Sequence, residues 1–233
     1  MNTGLYRGVA AMSVAEKSMD TIASNLASLR TPGSKRRAIA SHGFYMGRFG
    51  SQEVNVQLEQ KNDFTQGTFE TSGNQLDLAL LGDGFFELDG DDGPIFTRDG
   101  EFRMNTDGTL ISPEGFAVTW SRQASQLDPS AEEIIVDHQG VVTQGGRDVG
   151  TIKTLSFADN HALRHTSDGY FYAPEDLERF ESNAEVRQGG LERSNIDPVE
   201  ELVALITLQR RHERAASIVS QIDQSYRRLT SES

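Results

Sequence analysis

Two histidines four residues apart, His161 and His165, are the first candidates for chemistry. On a helix that spacing puts both imidazoles on one face, as zinc peptidases require. The water-activating glutamate of that motif directly follows the first histidine. Here that position is Ala162, and Asp159–Asn160 ahead of it reads as a loop. The run Asp89–Gly90–Asp91–Asp92–Gly93 gathers carboxylates that could face calcium. It lacks the spacing and the distal glutamate of an EF-hand loop, so a hairpin turn accounts for it better. Gly145–Gly146 is not followed by Lys-Ser/Thr and cannot cradle a phosphate as a P-loop does. No Gly-x-Ser-x-Gly supports serine hydrolysis. The sequence therefore predicts no catalytic residue, no cofactor and no metal ligand. A metal-dependent enzyme or binding module is the rival class, and it needs the His or Asp clusters to converge.

Composition narrows the classes further. The 233 residues contain no cysteine, which excludes disulfides, cysteine-based zinc sites and thiol catalysis. The net charge of −13 is unevenly spread: residues 1–50 sum to +5, 51–195 to −17 and 196–233 to −1. An acidic middle repels phosphates, so nucleic acid is not the expected partner. No stretch is long and apolar enough for a membrane-spanning helix, and no charged start leads into an apolar run as in a cleavable signal. No small-molecule substrate and no membrane insertion are expected.

The most informative stretches are the two ends of the chain. Asp197 is a good N-cap, Pro198 suits the first helical position, and Glu200 can close a capping box. From there a helix is predicted almost to Ser233. Leu208, His212, Ala215, Val219, Ile222, Tyr226 and Leu229 follow at alternating spacings of four and three, which is a heptad seam. Residues 3–29 read as a second long helix. Leu5, Met12, Met19 and Leu26 recur every seven residues, Gly8, Ala15, Ile22 and Leu29 form a parallel row, and Val9 and Ala23 lie between. Glu16 interrupts the stripe, as a register-fixing polar residue does. Thr31–Pro32–Gly33 ends this helix. The basic run Lys35–Arg36–Arg37 is read mainly as a solvated loop, with contact to an acidic neighbour as the alternative.

Between the helices the sequence is β. Glu53–Glu59 alternates as an exposed strand. From Leu76 to Arg122, short apolar runs are broken by Asp83–Gly84, Asp89–Gly90, Asp99–Gly100 and Asp107–Gly108, the strongest local hairpin signal. Further strands are expected at 134–136, 141–143, 151–157 and Tyr170–Tyr172. The predicted fold is α+β: long terminal helices paired as a coiled-coil-like core, with an inserted, mainly antiparallel β-rich domain. The expected division is a discontinuous helical assembly domain (1–35 with 191–233), an extended linker with β segments (36–75) and an outer β domain (76–190).

Three separated blocks carry a family resemblance. The first is Ala23–Ser24–Asn25–Leu26–Ala27 with Thr31–Pro32–Gly33–Ser34–Lys35. The second runs from Gln66–Gly67 through Leu76–Leu80 and Gly82–Phe86 to Phe96–Phe102. The third is Gln188–Asp197 with Val199–Leu202 and Gln209–Arg210. In this order the sequence resembles the bacterial flagellar basal-body rod proteins, relatives of the hook protein. Ser24, Asn25, Leu26, Thr31, Pro32, Gly33, Ser194, Asn195 and Asp197 are the motif positions. Ser28, Ser34 and His212 depart from the family's usual Asn, aromatic and Tyr/Phe. The resemblance implies a non-enzymatic structural subunit that polymerises into the axial drive shaft around the export channel. Its implied partners are copies of itself and other rod subunits. Its implied location is the periplasmic rod of the basal body, reached by flagellar export without a cleaved signal. The two seams are the implied assembly interface. The Pro-free stretch 36–65 looks more like a proximal rod subunit, with a distal rod or hook-type subunit as the alternative.

Overall fold

The computed structural model describes residues 3–46, 53–130, 133–166 and 169–231. The chain divides into two compact units. One combines the terminal helices with residues 36–63; the other comprises 28–35 and 64–195. Charge divides the same way. The first unit holds 11 basic and 11 acidic residues, the second 11 basic and 24 acidic, so the whole net charge of −13 belongs to the second.

The first unit pairs α1 (Thr3–Ala27) with α2 (Pro198–Ser231). The N-terminus of α2 is capped as expected: Asp197 Oδ1 accepts the Val199 and Glu200 N–H groups at 2.8 and 3.3 Å. On α2 the less exposed side chains include Leu208, His212, Ala215, Val219 and Ile222, at the spacing of the predicted seam, together with Glu201, Ala204, Leu205 and Ala216. On α1, Ala15 and Ile22 are buried, and Met12, Met19 and Leu26 are half-buried. Gly8 permits close approach, since a Cβ there would stand 2.6 Å from Val219 Cγ2. The side chains of Leu5, Tyr226 and Leu229 lie outside the described residues.

The stretch read as an extended linker is largely an antiparallel pair, β1 (Arg36–Met46) with β2 (Glu53–Asp63), in register from Arg36↔Asp63 to Met46↔Glu53. It belongs to the same unit as the helices.

The second unit is a β body. Its largest sheet has the order β15–β16–β6–β5–β9–β8–β7, with β14 and β17 attached beside β5. These strands are β5 (Phe85–Gly90), β6 (Gly93–Thr97), β7 (Arg103–Met104), β8 (Leu110–Ile111), β9 (Ala117–Val118), β14 (Thr154–Phe157), β15 (Arg164–His165), β16 (Phe171–Tyr172) and β17 (Arg179–Glu181). A four-stranded sheet runs β10 (Trp120–Gln123), β13 (Arg147–Ile152), β12 (Val141–Gln144), β11 (Ile134–Val136). Two short pairs complete it: β4 (Leu78–Leu81) with β18 (Glu185–Gln188), and β3 (Phe69–Thr71) with β19 (Gly190–Glu192). Leu80, Phe86, Leu88, Phe102 and Val142 centre one core cluster, and Phe85, Phe96 and Phe171 a second. The Asp99–Gly100 dipeptide does not turn a hairpin. Gly100 lies where a Cβ would meet Leu78 O at 1.7 Å, Glu101 bridges to Asp77, and the next strand, β7, begins at Arg103.

The two units differ in how deeply they are cored. Among the described side chains of α1 and α2, Ala15, Ile22, Asn25 and Glu201 are buried, whereas the β body buries aromatic rings completely. Local opening is governed by such burial. In the isolated chain at low concentration, amides of α1 and α2 are expected to exchange well before those of β5 and β6. Hydrogen exchange read by mass spectrometry checks this, and equal protection across both units would refute it.

Candidate functional site

The basic run Lys35–Arg36–Arg37 is not a solvated loop. Each cation has its own partner, because the run spans the end of a turn and the start of a strand. Lys35 precedes the strand and is buried in the β body. Its Nζ donates to Glu192 Oε1 at 2.7 Å and to Thr65 O at 2.8 Å. Arg36 and Arg37 begin β1, where successive side chains take opposite faces. Arg36 Nε donates to Glu201 Oε1 of α2 at 2.6 Å. Arg37 faces α1. Its guanidinium donates to Ser24 Oγ, and its backbone is held by Asn25, whose Nδ2 donates to Arg37 O at 2.8 Å and whose Oδ1 accepts Arg37 N–H at 3.1 Å. The Asn25 amide thus behaves like one more strand residue. This accounts for an asparagine only 1% exposed near the end of a helix.

In the β body, Glu192 is the hub. The carboxylate is 2% exposed. Besides Lys35, it takes Arg98 Nη1 at 3.2 Å and the Gly67 N–H at 2.8 Å, while its backbone oxygen accepts the Gly33 N–H at 2.7 Å. Arg98 also donates to Gly82 O at 2.6 Å, and its guanidinium lies 5.4 Å from the centre of the Phe85 ring. Burial pulls Arg98 below the usual guanidinium range, against the opposing charges of Glu192 and Asp83. Gly33 has φ +66°, and a Cβ there would strike Arg98 C at 2.3 Å. Asn195 Nδ2 donates to Thr65 O at 3.0 Å, and Thr31 O accepts the Ser34 N–H at 3.3 Å. Pro32 is half-buried.

The remaining candidates do not converge. Asp159 caps a short 3-10 turn at Asn160–Ala162, leaving His161 exposed, while His165 lies on β15 against the Phe171 ring at 5.1 Å. Among the described residues no group of three His, Asp or Glu side chains stands close enough to hold a metal ion. Asp89, Asp91 and Asp92 project from the β5–β6 hairpin. On the helices, the two polar seam residues meet, His212 Nε2 lying 3.4 Å from Glu16 Oε1.

One surface escaped the heptad count. Val199, Leu202, Val203 and Ile206 of α2 are 67%, 49%, 59% and 51% exposed. They fall at spacings of three and four, off the seam, and the signal for them was present as apolar residues just before Leu208. Val9 of α1 is also exposed. Large apolar side chains on one helix face stay uncovered only where something else is to cover them.

Comparison with known proteins adds an independent line. Residues 79–144 match the family described as the flagellar hook protein FlgE/F/G D1 domain, and residues 187–232 match the flagellar basal body rod FlgEFG protein C-terminal family. A flagellar basal-body rod protein FlgF of Mesorhizobium japonicum is 32% identical over 227 residues, covering 95% of this chain and 93% of its own length. One of Caulobacter vibrioides is 30% identical over 233 residues, covering 94% and 93%. A flagellar basal-body rod protein FlgG of Agrobacterium fabrum is 27% identical over 254 residues, covering 91% and 92%.

Removing the Glu192 carboxylate leaves two buried cations facing each other. Glu192→Ala is expected to destabilise the β body by about 3–5 kcal/mol, lowering Tm by roughly 10 °C or more in calorimetry. A second expectation concerns pH. Burial pushes the Asp99 carboxyl up to about 7, with the neighbouring Glu101, Glu114 and Asp77 charges adding and the Glu101 N–H opposing. A carboxyl raised on folding binds its proton more tightly folded than unfolded. Its stabilising contribution is present below about pH 4, the unfolded value, and is lost as pH rises through about 7. Asp99→Asn should therefore be more stable than the parent at pH 8 and lose that advantage towards pH 4, as denaturant melts at the two extremes would record.

Proposed function

Because this chain belongs to the flagellar basal-body rod protein family, we propose that it is a polymerising structural subunit of the rod and that its first unit makes the axial contacts. It is not an enzyme. Its partners are copies of itself and other rod subunits, and its place is the periplasmic basal body. The described seam side chains, from Met12 to Leu26 on α1 and from Leu208 to Ile222 on α2, set the α1–α2 pair. The exposed row Val199, Leu202, Val203 and Ile206 meets a neighbour. That row is the observation that carries the assembly reading, since its four large apolar side chains are 49–67% exposed. Burying each such side chain at a contact contributes about 1.5–3 kcal/mol, so four of them supply a strong driving force. Heterologous contacts of this kind propagate as a helix wherever their rotation does not close a ring. Torque transmission needs stiffness, which close-packed seams provide.

The finer assignment is to the proximal type of rod subunit. Residues 36–65 contain no proline, and those described form the β1–β2 pair. The FlgF relatives align with few gaps, whereas the FlgG alignment stretches to 254 positions, longer than this chain's 233 residues. That length difference favours the FlgF-like form over one with extra inserted contacts.

Leu202→Asp with Ile206→Asp is expected to abolish motility and rod incorporation while the purified chain keeps its fold by circular dichroism. Ile222→Asp should also block assembly, through loss of the α1–α2 seam, and should leave the β body folded. Normal incorporation of the Leu202/Ile206 variant would remove the exposed row from the interface.

A further inference from the structure

The first unit contains a groove of about 420 Å³ between α1, α2 and β1. Ile22 and Leu208 form part of its wall, and Arg36, Arg37, Arg211 and Glu201 line it as well. Arg36 is neutralised by Glu201, which is completely buried. The other two cations are not neutralised. Among the described residues Arg37 bonds the Ser24 hydroxyl but has no carboxylate within ion-pair distance, and Arg211 has none either. Burial pulls Arg37 below its usual range. A half-buried guanidinium without a counter-charge is costly, and an arriving anion removes that cost. The groove therefore carries two uncompensated positive charges in a unit whose net charge is zero.

The complementary feature lies in the other unit. The β5–β6 hairpin is paired to its end, Gly90 opposite Gly93, and three exposed aspartates crowd its tip. Among the described residues none of Asp89, Asp91 and Asp92 has a cationic partner. Gly93 faces open space, a Cβ there meeting no atom within 4 Å. The Glu175–Glu178 turn is equally acidic, but Leu177 packs its centre onto the second core cluster. The hairpin tip has no apolar residue from Asp89 to Gly93 to anchor it in this way.

We propose that the Asp89–Asp91–Asp92 hairpin tip of one copy docks into the Arg37–Arg211 groove of a neighbouring copy. This rests on the assembly reading above and gives it a charge-based contact distinct from the apolar row on α2. The contact is heterologous, groove to tip, so it repeats along a filament. It supplies register more than bulk affinity, as charge complementarity does at interfaces.

Charge reversal on the full-length chain tests it, with self-association followed by sedimentation at about 50 mM and about 500 mM salt. Arg211 is exposed on a helix, so Arg211→Glu is expected to fold. Arg211→Glu alone, and Asp91→Arg with Asp92→Arg, should each raise the concentration for half-association by about 10-fold at low salt. Mixing the two variants should restore wild-type association, which no misfolded chain would do. Asp91→Asn with Asp92→Asn, which adds no new charge, should weaken association less than the reversal and narrow the gap between the two salts. Wild-type association unaffected by either reversal, or weakened without rescue on mixing, overturns the groove-to-tip contact and leaves the assembly reading standing. No self-association of the wild-type chain at either salt overturns both.

Discussion

The buried carboxylate of Glu192 is the constraint on which the β body depends. It gathers Lys35, Arg98 and the Gly67 amide, groups from segments far apart in sequence. A lone carboxylate in that position would be expensive, and so would either cation. Together they fix where residues 28–35 pass along the β strands and where the chain leaves them at Asn195. Gly33 and Gly67 follow from this packing. At each, a Cβ would collide with backbone, that of Arg98 and of Arg193. Both are needed for their missing Cβ, and Gly33 also for its positive φ, because charged partners hold the chains in contact.

The first unit follows a different economy. Its ties are polar and local to the start of β1: Asn25 and Ser24 from α1, Glu201 from α2. Its apolar seam is shallow, and one helix face is left bare. Two helices cover each other along one seam only, and here α2 carries a second apolar row, Val199, Leu202, Val203 and Ile206, off that seam. A unit with zero net charge and a bare apolar face is suited to being packed among its own kind. A unit carrying −13 is suited to facing solvent.

What the sequence disclosed tracks the range of the interaction responsible. The helices, the Asp197 cap, the helix stop at Thr31–Pro32 and the short strands between 78 and 157 arise from local periodicity and turn chemistry. They appear at or near the expected positions. The Lys35–Arg36–Arg37 run was misread because charge density along a chain says nothing about carboxylates more than 150 residues away. The β1–β2 pair was only half legible. Glu53–Glu59 alternates, but its partner strand begins with three cations and contains Gly43, which hides the period. Strand order depends wholly on such distant pairings, as β3 with β19 and β4 with β18 illustrate.

The residues that carry the family signature are seldom the ones that could do chemistry. Asn25 completes the backbone pairing of Arg37, Gly33 admits the Arg98 backbone, Asn195 reaches Thr65, and Asp197 caps α2. All of them lie where the chain passes from one unit to the other, at 24–37 or at 192–201. An enzyme concentrates its identifying residues around a reacting atom. A structural subunit has no reacting atom, and the residues that identify it are those that hold the path of its chain through paired polar groups. Motif residues that fix the path of the chain, with none gathered around a reacting atom, fit a structural role.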